Sequence, residues 1–169
     1  MATPAEVGTD EVDSIVDAWA RERPDLDASP MHVLSRISRV ALHLDRLRKK
    51  AFSDHALEGW EFDVLSALRR AGAPYELSPG QLTAETMVTS GTMTNRVDRL
   101  ERRGYVSRHR APGDRRGVIV RLTDTGRATV DAALDALLQA EHELLAGLPP
   151  SDQRSVADAL RTLSRSLSG

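Results

Sequence analysis

The chain contains no cysteine. Disulfide frameworks, cysteine-ligated zinc, iron–sulfur clusters and thiol nucleophiles are therefore excluded. No apolar run approaches the ~18 residues that a membrane span requires. The opening MATPAEVGTDEVDSIVD is acidic and has neither a basic start nor an apolar stretch, so no secretory signal is expected, and the cytoplasm is the expected compartment. There is no internal repeat, no glycine-rich phosphate loop and no nucleophile elbow. The five histidines, His32, His43, His55, His109 and His142, form no close ligand pair, so no metal and no cofactor is expected. Lysine is nearly absent as well: only Lys49 and Lys50 stand among the 23 basic residues.

What is present is 169 residues with 28% charged and 40% hydrophobic content, enough for a globular domain with a real core. The net charge of −2 hides an uneven distribution. Residues 1–30 carry 8 acids and 2 bases, whereas residues 78–122 carry 9 bases and 4 acids. A basic block inside an otherwise acidic chain is the pattern of a localised phosphate-contacting surface.

Helical periodicity runs through most of the chain. Val12, Ile15, Val16 and Trp19 mark a short added helix in a 1–30 extension. A long helix follows at 31–54, with Val33, Leu34, Ile37, Val40, Leu44 and Leu47 on one face. Another spans Trp60 to Arg70, and Ala73 to Leu77 reads as a loop. Ser78-Pro79 starts a short helix, and Ser90 is placed as the N-cap of the next, which Gly104 ends. Two short helices separated by a few residues form a helix-turn-helix. Tyr105-Val106 and Val118–Val120 read as the strands of a hairpin turning at Pro112-Gly113-Asp114, which is a wing. Helices at 123–147 and from Ser151 complete a mainly α fold with a small β-hairpin. The apolar stripes of 31–54 and 123–167 exceed what one winged helix can cover, so they are expected to meet a second copy.

In the 78–122 segment, Met93, Val97 and Leu100 form a buried stripe, and Thr92, Asn95 and Arg99 fall on the opposite face. Those donors, with Thr94, suit base edges in a major groove, and Ser90 at the helix start suits a phosphate. Arg115 and Arg116, adjacent on the wing turn, suit the negative potential of a minor groove. An ordinary amphipathic surface helix is the competing reading, and the basic hairpin beside it argues against that.

The run SGTMTNRVDRLERRGYVSRHRAPGDRRGVIVRLTDTG resembles the winged helix of the MarR family of bacterial regulators. The matching features are Leu100-Glu101 followed by Gly104, the Asp114-Arg115-Arg116 wing, and Leu122-Thr123 followed by Gly126. The resemblance covers about residues 31–167. It implies a domain at 31–169, a homodimer with interlocking terminal helices, a palindromic double-stranded DNA site, and repression relieved by a small ligand. A narrower resemblance, to the urate-responsive HucR/PecS-like branch, rests on Trp19, Asp63, Arg96 and Arg108. It implies that these four hold a small anionic effector, with urate the first candidate and other organic anions open. Arg96 flanks the buried stripe and could meet Asp63 or an anion, and Trp19 offers a flat face. The alternative is that Trp19 anchors its helix and Asp63–Arg96 is a structural ion pair. For the whole chain the alternative to a DNA-binding regulator is a helical dimer that binds ligands or partners without DNA. An enzyme is not expected.

Overall fold

The computed structural model describes residues 8–110 and 117–167. It divides into two compact units, Met1–Leu47 and Arg48–Gly169, so the division falls inside the second helix.

In the first unit, α1 (Glu11–Glu22) starts from a capping box. The Asp10 carboxylate accepts from the backbone N–H of Val12 at 2.8 Å and of Asp13 at 3.2 Å, and Asp13 accepts from the N–H of Asp10 at 2.9 Å. That box places two carboxylates side by side. Arg36, on α2 (Met31–Ser53), compensates them with contacts of 2.8 Å to both. The Arg36 guanidinium holds the Asp10 carboxyl below its ordinary value. Asp13 is lowered first by the Asp10 N–H and then by Arg36. Val12 and Val16 are buried, whereas Val33, Leu34, Val40 and Leu42 of α2 are exposed.

The second unit is built on α3 (Gly59–Arg70), whose Phe62, Val64, Leu65, Ala67 and Leu68 are all buried. Phe62 stacks on Phe52 at the end of α2, with ring centroids 4.1 Å apart. Ser78 caps α4 (Pro79–Thr86), which buries Leu82 and ends at Met87 in the left-handed region, φ 50°. That turn leads directly into α5 (Ser90–Arg102). Its N-cap is Thr89 and not Ser90: the Thr89 hydroxyl accepts from the Thr92 N–H at 3.3 Å, and Ser90 is the first helical residue.

Gly104, at φ 73°, turns the chain into β2 (Val106–Arg110), antiparallel to β3 (Val118–Leu122) with Arg108 opposite Val120. A third strand, β1 (Glu76–Leu77), lies on the other edge of β3, where a loop was expected. The wing sheet is thus three-stranded, in the order β1-β3-β2. Its sheet-side residues Val106, Val120 and Leu122 are buried.

Thr123 ties the wing to α6 (Asp124–Leu145). Its hydroxyl donates toward the carbonyls of Gly104 at 2.7 Å and Tyr105 at 3.0 Å, and accepts the Gly126 N–H at 3.0 Å. Gly126 passes so close to the Tyr105 carbonyl that a Cβ there would lie 2.1 Å from its oxygen. One face of α6 buries Val130, Ala133 and Leu137, while Leu134, Leu138, Leu144 and Leu145 remain exposed. The last helix, α7 (Pro150–Ser166), buries nothing and exposes Val156 and Leu160. Mainly α with a small antiparallel sheet is the architecture expected from the sequence.

Candidate nucleic-acid interface and effector site

Helix α5 has two faces of opposite character. Met93, Val97 and Leu100 are at most 1% exposed. Ser90, Thr92, Thr94, Asn95 and Arg99 are all exposed. All five candidate DNA-contacting residues of this helix are therefore open to solvent. The Thr94 hydroxyl is used locally, donating to the Ser90 carbonyl at 3.1 Å, and retains its acceptor lone pairs for a donor on DNA. The other two candidates, Arg115 and Arg116, lie outside the described residues.

Arg99 does not extend freely into solvent. Its guanidinium lies 4.6 Å from the centroid of the Trp60 ring, and its Nη2 donates to Glu58 Oε1 at 2.8 Å. The Trp60 indole donates to the other oxygen of Glu58 at 2.6 Å. Arg96 sits 5.5 Å from the same ring. Trp60, Thr92, Asn95, Arg96 and Arg99 together line an open depression of about 250 Å³. The indole N–H is the leading reason that the Glu58 carboxyl lies below the ordinary carboxylate value, and Arg99 adds to it. Sequence reading missed both Glu58 and Trp60. They precede their α5 partners Arg96 and Arg99 by about forty residues, and no spacing rule connects them.

The four candidate effector residues are distributed unevenly. Arg108, on β2, reaches back to α5. It ion-pairs with Asp98, and its Nη1 meets Glu101 at 2.8 Å, while its backbone N–H donates to the same carboxylate at 3.0 Å. One arginine thus bolts the first wing strand to two acids of α5. Asp63 is exposed on α3 and forms no ion pair with Arg96 among the described residues. Arg96 meets the Trp60 ring, so the expected Asp63–Arg96 pair is absent among the described residues. Trp19 stands in the other unit, half exposed.

A second anchor sets the far end of α5. Glu61, in the first turn of α3, is 0% exposed. Its Oε2 accepts from Arg103 Nη1 at 2.5 Å and from the Glu58 N–H at 2.9 Å, and its Oε1 has no partner among the described residues. Arg103 also donates to the Ala56 carbonyl at 2.7 Å and lies 4.8 Å from the Tyr105 ring centroid. The bond to Glu61 is the leading reason that the Arg103 guanidinium is held above its ordinary value. Helix α5, the wing and α3 are thus cross-linked by charge at three places: Arg99–Glu58, Arg103–Glu61 and Arg108–Asp98/Glu101.

A family model described as MarR family matches residues 57–117. The HTH-type transcriptional regulator PecS of Dickeya dadantii is 44% identical over 135 residues, which are 80% of this chain and 81% of PecS. The chain belongs to the MarR family. The relatives it matches are transcriptional regulators, among them PecS and the multiple antibiotic resistance protein MarR. Among solved structures, BpsR of Bordetella bronchiseptica, described by regulation of its DNA binding by 6-hydroxynicotinic acid, is 27% identical. The match has a TM-score of 0.64 and covers 78% of this chain and 92% of that one. Sco3205 of Streptomyces coelicolor, a MarR-family regulator solved in complex with DNA, shares the fold at a TM-score of 0.72. It is 23% identical, with 84% of this chain and 93% of that one covered. The MarR-family winged helix thus accounts for the α4–α5 pair, the three-stranded wing and the long flanking helices. No described helix is long and apolar enough to cross a membrane.

Proposed function

We propose that the protein is a cytoplasmic, homodimeric repressor whose α5 enters the major groove of a palindromic duplex and which a small organic anion releases. The observation that carries this reading is the Arg108 clamp. An anion that acts there acts on both DNA-contacting elements at once, because one guanidinium joins the wing to two acids of the recognition helix. An anion that engages Arg108 competes with Asp98 and Glu101. Those carboxylates then face each other without their cation, and repulsion between them shifts α5 relative to the wing.

Arg96 supports the same reading. No carboxylate pairs with it among the described residues, so its charge is available to an anion. Asp63 would repel a second negative charge close by. Urate is the first candidate because it is planar and anionic near neutral pH. 6-Hydroxynicotinic acid, the regulator of the BpsR relative, is the second. Dimerisation covers the exposed apolar rows of α2, α6 and α7, which hold Val33, Leu34, Leu134, Leu138, Val156 and Leu160. Arg115 and Arg116, adjacent in sequence, are the candidates for the minor groove.

The test is a gel-shift competition. Urate and 6-hydroxynicotinic acid are titrated into a complex of the protein with a duplex selected by the wild-type chain. The reading expects at least one of them to weaken DNA binding tenfold or more, equivalent to ~1.4 kcal/mol of coupling, and Arg108→Gln to abolish that response. If neither ligand alters binding, both effector candidates fall. If Arg108→Gln responds as wild type does, the clamp is not the switch.

A further inference from the structure

Trp60 and Glu58 lie outside the helix-turn-helix, yet they hold two guanidiniums of the DNA-facing helix. Arg96 and Arg99 stand three residues apart on one helical face, where like charges repel. The Trp60 ring attracts both, at 5.5 Å and 4.6 Å. Glu58 closes the arrangement by accepting from the indole with one oxygen and from Arg99 with the other. Arg99 is therefore fixed at two points, and Glu58 and Arg99 are both about half exposed, where a phosphate can reach them. Arginine carries much rotamer freedom. Here that freedom is lost on folding, so it is not charged against DNA binding.

Resting on the reading that α5 binds duplex DNA, we propose that Trp60 is a positioning residue for Arg96 and Arg99, and that Glu58 is an internal counter-ion which Arg99 exchanges for a DNA phosphate. Two consequences follow from the chemistry. Trp60 raises affinity for the cognate site, because a preset guanidinium matches one phosphate or base edge. Glu58 lowers affinity for arbitrary duplex, because every approaching phosphate competes with a carboxylate already in place. The pair thus widens the ratio of specific to non-specific binding.

The experiment titrates the full chain against two probes, a duplex selected by the wild-type protein from a randomised pool and poly(dI-dC), over a range of salt. Glu58→Gln is expected to tighten poly(dI-dC) binding roughly three- to tenfold and to steepen the slope of log K against log salt by about one. Arg99→Gln in the same chain is expected to remove that gain. Trp60→Ala is expected to weaken the selected duplex roughly three- to thirtyfold, with Trp60→Phe restoring most of it. Should Trp60→Ala fail to melt cooperatively, Trp60→Phe and Glu58→Gln decide. A purely structural role for Trp60 would lower the melting temperature and leave the salt slope and the binding ratio unmoved. The inference is overturned if Glu58→Gln leaves affinity and slope for poly(dI-dC) unchanged. It is also overturned if Trp60→Ala folds and binds both probes as wild type does. If the wild-type chain selects no duplex at all, the DNA-binding reading fails first and this inference with it.

Discussion

Replacing Arg103 by methionine should unfold the protein far more readily than an exchange at a partly exposed position ordinarily does. The Glu61 carboxylate beneath it has no solvent contact, and its Oε1 has no partner among the described residues. Its other oxygen relies on Arg103 and on the Glu58 N–H. Methionine keeps most of the aliphatic stem of arginine and removes the charge. Breaking a buried ion pair from one side costs ~3–5 kcal/mol. The Arg103 side chain is 35% exposed and one backbone donor to Glu61 remains, so the lower end applies. Loss of the Ala56 and Tyr105 contacts adds about 1 kcal/mol. The total is about 3–4 kcal/mol, read as a fall in the urea midpoint at fixed protein concentration. Glu61→Gln placed in the Arg103→Met chain should recover at least ~1 kcal/mol, because a neutral amide is cheaper to bury alone. A loss below about 1 kcal/mol, or a double variant no more stable than Arg103→Met, would refute the electrostatic account of this anchor.

Three further outcomes are expected. Gly126→Ala should destabilise by about 3 kcal/mol in thermal melting, since its Cβ would lie 2.1 Å from the Tyr105 carbonyl oxygen and backbone must move to admit it; a change under 1 kcal/mol would contradict that packing. Met87→Gly should be neutral or stabilise by up to ~1 kcal/mol, because a 93% exposed side chain at φ 50° contributes strain and little packing; a clear loss in the same assay would show a hidden role. Asp10 and Asp13 have folded values below their ordinary ones, so their stabilising contribution is complete above the unfolded aspartate value near ~3.9 and is lost as pH falls through the folded values. Amide exchange in α1, corrected for its intrinsic pH dependence, should therefore lose protection below about pH 4, and Arg36→Met should show the loss already at neutral pH. Protection unchanged in Arg36→Met would remove this ion cluster as the link between α1 and α2.

The elements of this fold were legible where one period or one cap decides them. The Met93, Val97 and Leu100 stripe defined α5 and its open face, and the Thr123 to Gly126 spacing marked the start of α6. Boundaries set by competing caps were not: Thr89 and Ser90 are both good N-caps, and only the hydrogen bond to Thr92 distinguishes them. The strand β1 escaped because two residues carry no period; it exists through its register with β3, Glu76 opposite Arg121 and Leu77 opposite Val120. Part of the candidate site was legible as residue types but not as partners. Arg108 stood out, yet its partners were visible only once β2 folded back along α5. Asp63–Arg96 was plausible by position, but the Trp60 face competes for Arg96. Glu58, Glu61 and Trp60 join α5 across about forty residues of chain, a distance at which sequence pattern alone carries no pairing information.

The central claim is that charge links between α5, the wing and α3 govern duplex binding and its release. The most direct test measures binding of the wild-type chain and of Arg108→Gln to the selected duplex, with and without urate and 6-hydroxynicotinic acid, over a series of salt concentrations. The account predicts steep salt dependence for both chains, ligand-weakened binding for wild type, and no ligand effect for Arg108→Gln. Binding that ignores salt, or an Arg108→Gln chain released by ligand as fully as wild type, would contradict it.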